Sequence, residues 1–254
     1  MSTPIPELDI HTLNPGDITR DQLTKTWDIH QLKRGHRFSA DDIFTAYFAA
    51  RSHPNPKQIL DLGAGIGTVG LLTLSRFPAA TLTMVEAQQI SHQLAKKTIH
   101  YNSIADRVEA IHADLRTVDL TQKTFDIITG SPPYFPTHKA VMSPHPQRAA
   151  CRMELRGSIV DYAQTAARYL KEDGVFVVCF AANDERAIPA LAAANLHCRL
   201  RQDVVFRADL PPTISIFVAQ RQPTPCVHAA DINIRDSAGQ WTKTYDKIRK
   251  FDNI

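Results

Sequence analysis

Two short stretches of the chain hold residue types suited to chemistry as well as to packing. The first is Asp61-Leu62-Gly63-Ala64-Gly65-Ile66-Gly67-Thr68-Val69-Gly70, which continues an apolar run from Gln58 to Leu62. Gly63, Gly65 and Gly67 let the backbone turn sharply and let a ligand lie against bare main chain where a helix begins. Gly65-x-Gly67-x-x-Gly70 also satisfies the dinucleotide pattern, and Glu86, about 20 residues on, could hold a ribose hydroxyl in either case. On the glycines alone, NAD and another adenosine-containing cofactor both stand. Two details favour S-adenosylmethionine. Asp61 puts a carboxylate before the first glycine, suited to a ligand with an ammonium group, and the loop has no Lys or Arg for a pyrophosphate. Further on, Asp114 in His112-Ala113-Asp114-Leu115 could accept the hydrogens of an adenine amino group at the end of a strand. It could equally be a helix N-cap.

The second stretch is Phe125-Asp126-Ile127-Ile128-Thr129-Gly130-Ser131-Pro132-Pro133-Tyr134-Phe135. Two prolines fix φ and remove two N–H donors, leaving a stiff loop rich in acceptors. Ser131 offers a hydroxyl oxygen, and Tyr134 and Phe135 offer flat apolar faces. The combination suits a planar group bearing an amine: two acceptors take its N–H bonds, a ring stacks on its face, and the nitrogen is aimed at an electrophile.

The elements that must position these loops are legible as alternation. Strands are expected at Gln58–Leu62, Thr81–Val85, Arg107–Ile111, Phe125–Thr129, Val175–Phe180, Leu196–Phe206 and Thr213–Ala219. Helices lie between them. One runs from Gln88 to Asn102 with Ile90, Leu94 and Ile99 on one face, one from Ile159 to Leu170, and one after Asp184 as a possible cap, through Leu191. Alternating strand and helix implies an α/β fold: a mostly parallel seven-stranded sheet with right-handed crossovers, the last two strands forming an antiparallel hairpin on one edge. Residues 1–55 read as an N-terminal extension with a helical apolar pattern from Ile43 to Phe48, residues 56–222 as the cofactor domain, and residues 223–254 as a short basic tail. Ile232, Ile234, Trp241 and Tyr245 are available to anchor that tail.

With both loops and the alternation in place, the chain resembles the S-adenosylmethionine-dependent amino-methyltransferases that carry an (Asn/Asp/Ser)-Pro-Pro-(Tyr/Phe/Trp) loop. Within that group it is most similar to the bacterial adenine-N6 methyltransferases of valine tRNA. The likeness extends to Gln31-Leu32-Lys33-Arg34-Gly35-His36-Arg37-Phe38-Ser39-Ala40-Asp41 and to Gly239-x-Trp241-Thr242-x-x-Tyr245. It implies a Rossmann-like class I methyltransferase fold and methyl transfer to an exocyclic amine, with adenine N6 in tRNA as first candidate. Ser131, Pro132, Pro133 and Tyr134 would form the catalytic loop, while Asp61, Gly63, Gly65, Gly67, Glu86 and Asp114 would hold the cofactor. The tRNA enzymes usually carry Asn where this chain has Ser131, so rRNA, DNA or a protein glutamine are alternative acceptors of the same chemistry. An NAD-dependent oxidoreductase is the alternative of a different class.

The chain has 254 residues and a formal net charge of +3, too small by itself to prove a nucleic-acid partner. The distribution says more. Lys139, Arg148, Arg152 and Arg156, with His138 and His145, follow the proline loop against the single acid Glu154, and Lys33, Arg34, His36 and Arg37 precede the core. Lys33, Arg34, Arg37, Lys139, Arg148 and Arg152, with Phe135, are therefore candidates for RNA contact, set against the alternative of ordinary solvated charge. Lys243, Lys247, Arg249 and Lys250 form a third cluster, in the tail. Cys151, Cys179, Cys198 and Cys226 lack C-x-x-C spacing and the histidines lack ligand spacing, so reduced thiols and no metal are expected. No apolar stretch approaches the roughly 18 residues of a membrane helix, and Met1 to Pro15 does not read as a signal peptide. A cytoplasmic location is the expectation; the oligomeric state is not encoded in any motif.

Overall fold

A computed structural model describes residues 7–135 and 143–251. The N-terminal part gives strands β1 (Ile18–Gln22) and β2 (Asp28–Leu32) and helix α1 (Ala40–Ser52). The central part gives β3 (Gln58–Leu62), α2 (Thr68–Leu74), β4 (Thr81–Glu86), α3 (Gln89–Tyr101), β5 (Val108–His112) and β6 (Phe125–Gly130). The remainder gives α4 (Pro146–Arg152), α5 (Ile159–Tyr169), β7 (Leu170–Ala181), α6 (Ala187–Ala193), β8 (His197–Val205), β9 (Ile214–Gln220), β10 (Val227–Asn233) and α7 (Lys243–Arg249).

The main sheet has strand order β10-β8-β9-β7-β6-β3-β4-β5. β5, β4, β3, β6 and β7 run parallel, β9 runs against both β7 and β8, and β10 is parallel to β8. β3, β4, β6 and the second half of β7 are buried on both faces because helices cover both sides of a parallel sheet, and β5, at the edge, is partly exposed. Alternate residues divide between the two layers. Leu60, Ile128, Val178 and Phe180 pack with α5 and α6, whereas Ile59, Ile127, Val177 and Cys179 pack with α1, α2, α3 and α7. Among the described residues, no helix is long and apolar enough to cross a membrane.

The sheet has eight strands, not the seven expected. The extra one lies in residues 223–254, where β10 pairs with β8 and covers what was expected to be an edge hairpin. Its register is pinned by side chains: Gln202 Nε2 donates to the Ala230 carbonyl at 2.7 Å, and His228 Nε2 meets Asp203 Oδ2 at 3.1 Å. Cys226 and Cys198, remote in sequence, come to 3.2 Å, and all four cysteines are free thiols. Of the four expected anchors, Ile234 and Tyr245 are buried, but Trp241 is 48% exposed and lies beneath the guanidinium of Arg249. Asp184 does not cap α6 directly. Arg186 occupies the cap position, and Asp184 accepts its backbone N–H at 3.0 Å.

The strands β1 and β2 form an antiparallel hairpin within the N-terminal extension, where no strand was expected. It packs Ile29 and Leu32 against Ile90 and Leu94 of α3. Asn102, at the end of α3, accepts from Asp28 N and donates to Asp28 O, at 2.9 and 2.8 Å.

Candidate active site

The carboxyl ends of β3, β4 and β6 meet at one pocket. Gly63 turns the chain at φ +59°, and a Cβ there would lie 1.9 Å from the Tyr162 hydroxyl, so only glycine fits. Gly65, at φ +58°, has open space where a side chain would be, and its N–H donates to Glu86 Oε2 at 2.8 Å. Glu86 Oε1 accepts from Gln88 N at 2.6 Å, so one carboxylate ties the glycine turn to the loop after β4.

Asp61 is 2% exposed. Its Oδ1 accepts from Thr129 Oγ1 at 2.8 Å and its Oδ2 from Gly70 N at 2.9 Å, joining β3, β6 and α2. Burial raises its pKa to about 6, against those two hydrogen bonds, with Glu86 adding repulsion. Glu86 is also raised by burial, and Asp42 is raised well above the usual range, by burial and then by Asp41. Three carboxyls held above their ordinary pKa around one cavity are relieved by a bound cation.

Ser131, the residue after β6, presents a buried Oγ with no hydrogen-bond partner among the described residues. A polar atom left so in a native protein incurs a desolvation cost of about 1–3 kcal/mol, which a ligand donor would recover. Together, the cationic preference and the bare main chain at Gly65 fit an amino-acid-bearing adenosine cofactor, and the free acceptor of Ser131 is left for a second ligand.

The pocket wall brings together Asp61, Gly63, Gly65, Glu86, Ser131 and Pro133. It does not include Gly67, Pro132, Tyr134 or Asp114. Gly67 takes the left-handed cap position of α2 at φ +94°. Asp114 forms a bidentate ion pair with Arg116 and accepts its backbone N–H at 2.9 Å, while its neighbours Ala113 and Leu115 line the pocket. Tyr134 is half-buried: its hydroxyl lies 3.1 Å from Cys179 Sγ and 3.4 Å from Asp41 Oδ2, and its ring meets Phe180 edge-on. Phe135, 46% exposed, is the aromatic of this loop that faces outward, held by backbone bonds to Arg152 O and Glu154 N.

The two basic clusters before and after the loop converge. Arg148 Nε donates to the Gly35 carbonyl at 2.9 Å, and His36 N donates to Gln147 Oε1 at 2.9 Å, so α4 is tied to residues 33–37. Lys33, Arg34, Arg148 and Arg152 are exposed there, and His36 reaches the pocket wall. Arg37 is engaged with Asp21 at 3.0 Å. Lys139 and His138 lie outside the described residues.

Sequence reasoning missed Asp42 and Tyr162, which also line the pocket, and named Arg156 only within the basic cluster after the proline loop. Asp42 had a signal in Ser39-x-x-Asp42, the capping box that starts α1, in which Asp42 Oδ2 accepts from Ser39 N at 2.9 Å. Tyr162 had none, because only the fold brings α5 beneath the glycine turn.

A mostly parallel sheet wound with helices on both faces, with a glycine turn and an acidic pocket at the strands' carboxyl ends, defines a class I methyltransferase that uses S-adenosylmethionine. Residues 38–186, more than half of the chain, match the methyltransferase small domain family, and the chain belongs to that family. This decides between the two cofactor readings that the glycine spacing left open. Among its relatives, the tRNA1(Val) (adenine(37)-N6)-methyltransferase of a Flavobacteriaceae bacterium (strain 3519-10) is 30% identical over 154 residues, 61% of this chain and 63% of the relative. The enzyme of the same name from Haemophilus influenzae (strain PittGG) is 25% identical over 228 residues, 89% of this chain and 95% of the relative. A predicted O-methyltransferase of Agrobacterium tumefaciens shares the fold, with a TM-score of 0.58 at 16% identity, over 81% of this chain and 94% of that one.

Proposed function

We propose that this protein methylates the exocyclic N6 amine of an adenine in tRNA. The observation that carries the proposal is the buried, unpartnered Ser131 Oγ on the same pocket wall as Asp61 and Glu86. An NH2 group needs such an acceptor beside the cofactor. The cofactor, when bound, supplies a methyl group already activated by its sulfonium.

The chain's own contribution is position. Asp61 would hold the ammonium group of the cofactor and Glu86 its ribose hydroxyls, with Gly65 leaving room beside them. An adenine amine is a weak nucleophile because its lone pair is shared with the ring. Acceptance of its two N–H bonds by Ser131 Oγ and the Pro132 carbonyl favours a pyramidal nitrogen whose lone pair points at the pocket. Such orientation supplies several kcal/mol of the barrier, on the order of 7–11 at the upper limit. No protein base is required, since the methylated nitrogen is acidic and releases its proton to water. Phe135, outside the pocket, gives the base a flat apolar face, and a base so engaged must leave its stack. Lys33, Arg34, Arg148 and Arg152 meet the phosphates beside it. The names of the relatives support adenine in tRNA as the acceptor.

Radiolabelled S-adenosylmethionine offered with separated total RNA, DNA and protein tests this. Label is expected in RNA, and as N6-methyladenosine on nucleoside mass spectrometry. Label confined to protein or DNA overturns the proposal. Ser131→Ala should lower kcat about tenfold or more while leaving cofactor affinity unchanged by calorimetry.

A further inference from the structure

α3 contains no acidic residue in Gln89–Tyr101, while Lys96, Lys97 and His100 stand exposed on it. Beside it, the N-terminal segment and the β1–β2 hairpin border an open groove of about 1,190 Å³. Its lining carries Arg20, Lys96, Lys97 and four histidines over an apolar floor that includes Ile10 and Leu13, and no carboxylate. We infer that this groove is a second contact for the phosphate backbone of RNA, separate from the cluster of Lys33, Arg34, Arg148 and Arg152. The inference deepens the proposed function and rests on its reading of RNA as the substrate.

The groove's walls are built. Asp9 accepts from Gln89 Nε2 at 2.7 Å and Gln93 Nε2 at 3.2 Å, and Ile10 N donates to Gln93 Oε1 at 2.8 Å, clamping the N-terminal segment to α3. With a third hydrogen bond from His11 N at 2.9 Å, the Asp9 carboxylate is occupied by the groove's own walls. At the other end, Arg20 lies over the Tyr101 ring, 4.8 Å from its centroid, and bonds its hydroxyl. Asp28 approaches Arg20 at 3.4 Å and offsets part of its charge. Lys96 and Lys97 have no ion-pair partner among the described residues, so the groove keeps two unneutralised ammonium groups. Tyr101, 47% exposed, adds an aromatic edge.

The groove adjoins the cofactor pocket. His92 and His112 stack at 5.1 Å, and His112 Nε2 meets the Ala87 carbonyl at 3.1 Å. Ala87 and Gln88 line the cofactor pocket, and Gln89 lines the groove. An RNA strand held at Lys96 and Lys97 thus continues directly toward the site of transfer. The hairpin and the segment before it are therefore substrate-gripping elements, not a cover for the cofactor.

The test is the salt dependence of binding to an unmodified tRNA transcript by fluorescence anisotropy, with Lys96→Gln/Lys97→Gln against wild type. Each lost phosphate contact reduces the slope of log affinity against log salt by about 1, so a reduction of about 2 and a loss of affinity of about tenfold are expected. In methylation assays KM for RNA should rise with kcat unchanged. Cofactor affinity should stay constant, and Lys96→Arg/Lys97→Arg should restore binding. Lys57→Gln, at the amino end of β3 on the opposite rim, should leave the slope as in wild type. An unchanged slope in the double Gln variant, or an equal change with Lys57→Gln, overturns the groove. Failure of the proposed function is separate: the wild type would then bind tRNA weakly, independently of salt, or transfer no methyl group to it.

Discussion

Asp61 shows how one side chain can be both scaffold and ligand. Its two oxygens hold Thr129 and Gly70 in place, and burial raises its pKa to about 6. The folded chain keeps a proton on Asp61 that the unfolded chain has released between the ordinary aspartate range and pH 6, so stability without cofactor declines across that interval. A bound ammonium reverses the preference. Affinity for S-adenosylmethionine should therefore weaken as pH falls through about 6, and calorimetry should find proton release on binding near that pH. Asp61→Asn should bind weakly at every pH, without the inflection. Asp42 and Glu86 face the same cavity, so a residual shallow slope is expected in that variant. At Gly63 the constraint is steric. Gly63→Ala should destabilise the protein by about 3 kcal/mol, from left-handed backbone and overlap with Tyr162. Adding Tyr162→Phe should recover part of that loss in a thermal-denaturation cycle, because it deletes the atom in closest conflict.

At the scale of elements, legibility follows periodicity. β3, β4, β6 and α3 were readable because each lies in the wound sheet or its covering layer, where burial imposes a period of 2 or 3.6. β1 and β2 escaped because the first strand has a mostly half-exposed face, and their partner is α3 rather than another sheet. β10 escaped for the same reason: its seven residues include no fully buried side chain, and its place is fixed by pairing with β8 and by Gln202 and His228. The glycine turn and the proline loop were legible as chemistry, since their residue types have few other uses in that spacing. Tyr134 was legible as a member of the loop but not in its orientation, which depends on Cys179 and Asp41 from other elements. The helix α7 is testable at its one aromatic contact with α1. Tyr245 stacks on Phe44 at 5.7 Å, and Tyr245→Ala should cost about 3 kcal/mol in thermal denaturation. Cofactor affinity should fall with it, because α1 begins with the residues that reach the pocket.

Across the whole molecule, the sheet runs outward from β3, through β4 to β5 on one side and through β6, β7, β9 and β8 to β10 on the other. The pocket draws on α1, β3, β4, β6 and α5 at once, so it exists only when distant parts of the chain have packed. α1 sits under an asymmetric burden. Its leading residues, Asp41 and Asp42, serve the pocket and Tyr134, while its inner side is closed by α7, with Phe44 against Tyr245 and Tyr47 against Phe251. A helix late in the chain, α7, therefore completes the seat of an early one, α1. During synthesis the glycine turn and proline loop emerge well before that seat is closed, so a nascent chain stalled short of residue 243 should be catalytically silent. Emergence of α7, rather than of the two motifs, sets the moment at which the site is complete.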